Sequence, residues 1–177
     1  MLPMKRNKQA GFTLIEMLIV VLLLGILAML IIPQISVSTD DARLNTLQSN
    51  LGTIRNAVEL YYHQHNERYP GAYSEANGTT ATTDANAPAA FIAQLMQYTD
   101  INGQTNTSKG GVFIYGPYLK TTDLPINPYN DLATIACDVD MAVITDRTLI
   151  APETGWAFHP MTGVYFANDA TNPHNTL

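Results

Sequence analysis

The stretch Phe12–Ile32, FTLIEMLIVVLLLGILAMLII, constrains this chain more than any other feature, because every residue in it is apolar or small apart from Thr13 and Glu16. At about 1.5 Å per residue a helix of that length spans roughly 30 Å, the thickness of a bilayer's hydrocarbon core. It predicts a single transmembrane helix. The apolar fraction of the whole chain, 46%, would not mark a membrane protein; its concentration near one end does.

The flanks orient that helix. Lys5, Arg6 and Lys8 precede it with no acid among them, whereas Asp40 and Asp41 follow, so the positive-inside bias keeps the N-terminus cytoplasmic and exports the rest. The net charge of −6 hides the same asymmetry: residues 12–177 carry six basic against fifteen acidic side chains. So acidic a body disfavours nucleic-acid binding. Cys137 is the only cysteine, so no internal disulfide can form, and a lone thiol reads as a small buried hydrophobe.

Beyond the run stands Pro33, which removes an N–H and clashes with the preceding turn, kinking or locally melting any helix that passes through it. The apolar pattern then resumes. Leu44, Leu47, Leu51, Ile54, Val58 and Tyr61 recur at steps of three and four, one stripe of a helix extending to about Asn66 with Arg55 and the Asn and Gln residues on its wet faces. RYPG at 68–71 closes it. Asn77–Pro88 reads as a surface loop and Ala89–Tyr98 as a short amphipathic helix with Phe91, Ile92, Leu95 and Met96 on one side. In the second half GGVFIYGPYL (110–119) and MAVIT (141–145) read as strands, and GWAFHPMTGVYFAN as a hairpin that sets Trp156, Phe158, Val164 and Phe166 against each other across a turn with Gly163 at positive φ. The expected fold is α+β, a long N-terminal helix packed on a small antiparallel sheet.

Two residues of the leading segment call for a reason. An ordinary secretory signal is cut after its apolar run near an A-x-A pattern, and ILAMLIIPQ offers none; the small residue, Gly11, stands before the run instead. Glu16 places a carboxylate in a segment otherwise fit for lipid, where a charge at depth costs on the order of 2.5–3.5 kcal/mol and less near the interface. Nothing in an isolated anchor offsets that cost. The short basic leader ending in Gly11, the aromatic Phe12, the acid at Glu16, the unbroken apolar run and the terminal Pro33 together resemble the N-terminal signature of type IV pilins and of the pseudopilins of type II secretion.

That resemblance implies a pilin-like fold and cleavage by a prepilin peptidase between Gly11 and Phe12, followed by N-methylation of the Phe12 amine. It also implies a division into a cytoplasmic leader 1–11, a transmembrane and assembly segment 12–33, an amphipathic half-helix 34–67 and an exported globular domain 68–177. In a filament of staggered helices the Glu16 carboxylate can then meet the cationic Phe12 amine of a neighbour, fixing register between helices that would otherwise slide. Implied partners are further copies, other pilin-like subunits, the peptidase and an inner-membrane platform driven by a cytoplasmic ATPase. The implied location is the inner membrane, single-pass, with the C-terminal domain periplasmic.

The body adds a weaker likeness: GPYLKTTDLPINPYND, GWAFHPMTG and AVELYYHQHNERYPG resemble the corresponding runs of the major pseudopilin family. That family binds calcium near its C-terminus, but Asp123, Asp131, Asp138 and Asp140 form no dense D-x-D-x-D array and read as a solvated face. No metal and no cofactor are expected. His63, His65, His159 and His174 fit no catalytic motif and read as solvated, so no enzyme is expected. Tyr61, Tyr62, Tyr69 and Tyr73 read as core and helix-end packing. The expected role is a structural subunit of a type II secretion pseudopilus or pilus-like filament; the alternative is a minor pilin or membrane-anchored binding module, for instance in DNA uptake or adhesion.

Overall fold

A computed structural model describes residues 11–144, 147–150, 153–169 and 173–177, apart from the side chains of 30–38, 173 and 175. The basic leader residues Lys5, Arg6 and Lys8 lie outside that set. The chain divides into two compact units, Met1–Ala42 and Arg43–Leu177. Helix α1, Leu14–Gln64, contributes to both.

In the first unit α1 is apolar on all sides and uncovered: each large apolar side chain described between Leu14 and Met29 is exposed, none below 47%. Water-soluble helices bury one stripe and wet the other, and this segment does neither. Among the described residues no helix is long and apolar enough to cross a membrane. The described side chains of the apolar run that starts α1 end at Met29, which at about 1.5 Å per residue is roughly 24 Å of helix. Pro33 lies within α1, and its side chain is outside the described set.

In the second unit the stripe forms as its periodicity dictates. Leu47, Leu51, Ile54, Val58 and Tyr61 are buried, with Leu44 half-buried at the end of the row. They pack with Phe91 and Leu95 of α2 (Ala87–Met96) and with Trp156, Phe158 and Tyr165 of the sheet, each fully buried apolar side chain contributing about 1.5–3 kcal/mol. Arg55 is not on a wet face. It is half-buried, and its Nε and Nη2 donate to the Tyr165 carbonyl at 3.0 and 2.8 Å, tying the helix to the sheet.

The main sheet has three strands in the order β3-β4-β5 (Ile135–Cys137, Trp156–His159, Val164–Ala167), and a separate pair joins β1 (Tyr98–Thr99) to β2 (Thr105–Asn106). The sheet is mixed, which corrects the antiparallel expectation: β3 runs parallel to β4, while β4 and β5 form the antiparallel hairpin. All three residues of β3 are buried, so it shows no alternation to read. Neither of the other expected strands forms. Met141–Ile144 carry no strand, and Thr145 lies outside the described residues. In 110–119 there are only isolated bridges, Gly110 to Phe113 and Tyr115 to Thr99, because Gly116 and Pro117 interrupt the run and Pro117 has no N–H for a ladder.

The hairpin is where the sequence puts it, but its faces differ. Register pairs Trp156 with Ala167 and Phe158 with Tyr165, so Tyr165 and Ala167 share the core face, while Val164 and Phe166 point the other way. Gly163 has φ 73 as expected, and a Cβ there would run into the Tyr69 ring. Gly163→Ala is therefore expected to destabilise by on the order of 1–3 kcal/mol, read from urea unfolding of the detergent-solubilised chain through Trp156, the single tryptophan.

The histidines depart most from expectation. His65, His159 and His174 are buried, and only His63 is exposed. Nδ1 of His65 is 2.8 Å from the Tyr61 carbonyl, which can only accept, so Nδ1–H donates and Nε2 takes the Thr99 hydroxyl at 2.9 Å. Burial pushes the His65 pKa below its ordinary value. The unfolded chain therefore takes up this proton first. Its contribution to stability is complete above about pH 6.5 and is lost as pH falls below that value, with a slope of at most about 1.4 kcal/mol per pH unit. Urea midpoints measured between pH 7.5 and 5 should fall, and His65→Gln should flatten the fall.

Candidate functional site

The site that the sequence singles out begins at Gly11. Gly11 is exposed, has no positive φ, and a Cβ built on it would meet nothing within 4 Å. The fold does not need a glycine there, so the reason for it lies outside the folded chain. Phe12, next to it, is 79% exposed, which leaves the peptide bond between them open to another protein.

Thr13 stands immediately before α1 and caps it. Glu16 N–H lies 3.3 Å from Thr13 Oγ1, while Glu16 Oε2 accepts from Thr13 N–H at 2.8 Å and from Thr13 Oγ1–H at 2.7 Å. This is the reciprocal capping box of a T-x-x-E sequence, which satisfies two helix-start donors that would otherwise be orphaned. It corrects the view that nothing in an isolated anchor offsets the cost of Glu16. The letters TLIE carry the T-x-x-E signal for it. Both bonds fall on one oxygen, so Oε1 keeps acceptor capacity for a cation.

Elsewhere the candidate chemistry resolves into structure. Asp123, Asp131 and Asp140 are exposed and Asp138 half-buried; Asp138 Oδ1 accepts from the N–H groups of Asp140 and Met141, both at 3.1 Å, a local turn. Among the described residues no three His, Cys, Asp or Glu side chains are grouped to hold a metal. The Cys137 thiol is buried, and burial pushes its pKa up, which keeps it protonated and inert. Tyr61 is in the core and stacks on His65 at 3.7 Å, Tyr62 stacks on Tyr69 at 4.3 Å, and the Arg68 guanidinium lies 4.4 Å from the centre of the Tyr73 ring.

Two buried amide hubs were not foreseen. The Gln94 side chain accepts from Gly71 N–H at 2.7 Å and donates to the carbonyls of Tyr73 and Gly103 at 3.0 and 2.9 Å, holding two loops to α2. Asn127 donates to Gly155 O at 2.8 Å and to Asp169 Oδ2 at 3.1 Å; the other Asp169 oxygen is 2.9 Å from His174 Nδ1. These hubs hold the globular unit together and bring no reacting groups into an open cleft.

Comparison with known proteins bears on the same segment. The description "Prokaryotic N-terminal methylation motif" matches residues 6–32. The chain is 41% identical over 58 residues to type II secretion system core protein G of Pseudomonas aeruginosa, a match covering 33% of this chain and 41% of that protein. It is 36% identical over 67 residues to the core protein G of Aeromonas hydrophila, covering 38% and 46%. With prepilin peptidase-dependent protein A of Clostridium perfringens it shares 39% identity over 56 residues, covering 32% and 40%. The chain thus spans less than half the length of the curated relatives it matches. No solved structure matches.

Proposed function

We propose that this chain, whose N-terminal third is similar to type II secretion system core protein G and carries the N-terminal methylation motif, is a member of the pilin and pseudopilin family and a structural subunit of a secretion pseudopilus or pilus-like filament. The observation that carries the reading is a pairing: a glycine with open space at its Cβ position stands directly before a helix whose described large apolar side chains, Leu14 to Met29, are all exposed. Uncovered apolar surface of that extent must be met by lipid or by other helices. A subunit that waits in the membrane and then joins a helix-cored filament meets both in turn. None of the relatives' names describes a catalyst, which accords with a structural role.

In this scheme water adds across the Gly11–Phe12 amide on the cytoplasmic side, leaving a Gly11 carboxylate and a Phe12 amine; the amine, in its neutral form, displaces the leaving group of a methyl donor to take one methyl group, and the methylated amine is again cationic at neutral pH. Residues 12–33 anchor the mature subunit in the inner membrane and later line the filament axis, with a bend at Pro33 easing packing. Residues 34–67 and 68–177 face the periplasm. The capping box holds the Glu16 carboxylate at the helix start, and its free oxygen receives the Phe12 ammonium of a neighbour in a low-dielectric setting where such a bond is strong. Other pilin-like subunits and an ATPase-driven platform complete the machine.

The reading is tested by expressing the full chain with a complete secretion assembly and shearing the cells. The subunit should appear in a sedimenting filament fraction, and only when a prepilin peptidase is present; a subunit that stays monomeric in the membrane despite processing contradicts it.

A further inference from the structure

The globular unit shows the pattern Asn-x-Ser/Thr twice, as Asn77-Gly78-Thr79 and as Asn106-Thr107-Ser108. That pattern marks an asparagine whose side-chain amide can accept a glycan when it stands on the surface of an exported domain. So short a motif recurs by chance, and geometry decides whether either asparagine is set up to react. Asn77 and Asn106 are both exposed. Their loops are tied together: Thr105 N–H donates to the Glu75 carbonyl at 2.9 Å, and Gln104 Nε2 donates to the Asn77 carbonyl at 3.1 Å.

An amide nitrogen is a poor nucleophile because its lone pair is shared with the carbonyl, and it gains reactivity when negative charge is stabilised on the oxygen by donors already in place. Asn77 has that arrangement. Its Oδ1 accepts from Thr79 N–H and Thr80 N–H, both at 3.0 Å, and from Thr79 Oγ1–H at 3.3 Å, while its Nδ2 donates to Thr80 Oγ1 at 2.9 Å. The hydroxyl of the third residue in the motif is thus one of three donors on a single oxygen. Asn106 Oδ1 accepts only from Ser108 N–H, at 2.9 Å, and among the described residues no hydroxyl reaches it. Glu75 also places a carboxylate two positions before Asn77, where an arginine of an enzyme's groove can pair with it, whereas Gln104 stands at that position before Asn106. The competing reaction, attack of Gly78 N on the Asn77 side-chain carbon with loss of ammonia, is held back because Gly78 N–H donates to the Ser74 carbonyl at 2.7 Å.

We propose that Asn77 is the acceptor of an N-linked glycan, transferred from a polyprenyl pyrophosphate donor by a membrane-bound oligosaccharyltransferase on the periplasmic side. In that step Asn77 Nδ2 bonds to the anomeric carbon of the first sugar, and the bond from that carbon to the pyrophosphate oxygen breaks, its electron pair leaving with the lipid pyrophosphate. The proton lost from Nδ2 goes to a base of the transferase, and nothing is oxidised or reduced. The proposal rests on the filament reading for one thing alone, the export of the globular unit. A bulky hydrated glycan has no place between packed subunits, so the 74–80 loop faces solvent in an assembled filament.

The test is peptide mass spectrometry of the full subunit purified from membranes of its native host. The peptide that holds Asn77 should carry the added mass of whole sugar residues, and fragmentation should leave the first sugar on the Asn77 side chain. Asn77→Gln and Thr79→Ala should abolish the added mass, whereas Thr79→Ser and Asn106→Gln should keep it. An unmodified Asn77, the mass change of deamidation alone, or sugar found only on a threonine hydroxyl or on Asn106 overturns the proposal. The N-terminal peptide of the same digest reads the filament scheme separately. A start at Phe12 with a bare Asn77 overturns glycosylation and leaves that scheme in place, while a glycan at Asn77 on a chain cut after its apolar run supports glycosylation and contradicts the scheme.

Discussion

Gly11→Val is expected to leave the full-length, unmethylated protein in the membrane, with the processed fraction lowered on the order of 100-fold or more, as misplacement of a scissile bond by a side chain commonly does. The structure makes this variant clean. Nothing lies within 4 Å of the new Cβ and the backbone has no positive φ to strain, so the globular unit should unfold at the same urea concentration as the unaltered chain. A loss of processing then reports on recognition of the glycine by the peptidase and on nothing else. Gel mobility separates the two forms, and a normally processed Gly11→Val protein would contradict the cleavage site.

The second large effect concerns Glu16, and the capping box decides which variant to make. Glu16→Ala removes both the charge and the reciprocal bond to Thr13, so its failure would be ambiguous. Glutamine also serves in a capping box, so Glu16→Gln keeps the local structure and discards only the charge. It should be cut and methylated normally yet lose assembly, because leaving a neighbour's buried ammonium unpaired costs about 2–5 kcal/mol per contact, roughly 30-fold or more in association. Thr13→Ala is the converse control: it weakens the cap by about 0.5–2 kcal/mol and retains the carboxylate, so assembly should be reduced far less. Filament yield after shearing reads all three. Full assembly of Glu16→Gln would mean that Glu16 is a capping residue alone.

The parts of this molecule that were legible in the sequence are those governed by local chemistry. Leu47, Leu51, Ile54, Val58 and Tyr61 announced their face because a helix repeats every 3.6 residues and the stripe is continuous. The hairpin announced itself through PMTG and Gly163. Its faces were misjudged because the aromatic Phe166 outweighed the parity that places Tyr165 opposite Phe158. Strand β3 was missed because three wholly buried residues have no period, and Val143 and Ile144 drew the assignment instead, although they are exposed.

The histidines and amide hubs failed for a different reason. One ring nitrogen of His65 meets Tyr61 four positions back but the other meets Thr99, 34 positions away, and what satisfies Gln94 lies 9 to 23 positions away, so a local window shows at most part of each side chain's surroundings. At the candidate site the order was reversed. Gly11, Phe12 and Glu16 are all visible as letters, and the structure adds the capping bond and the open space at the glycine.

Where the mature chain begins is the decisive property of this protein. Intact-mass measurement of the subunit recovered from membranes of a host with a prepilin peptidase should give a chain starting at Phe12 and carrying one added methyl group. A chain that still begins at Met1 in that host, or one cut after the apolar run, would contradict it.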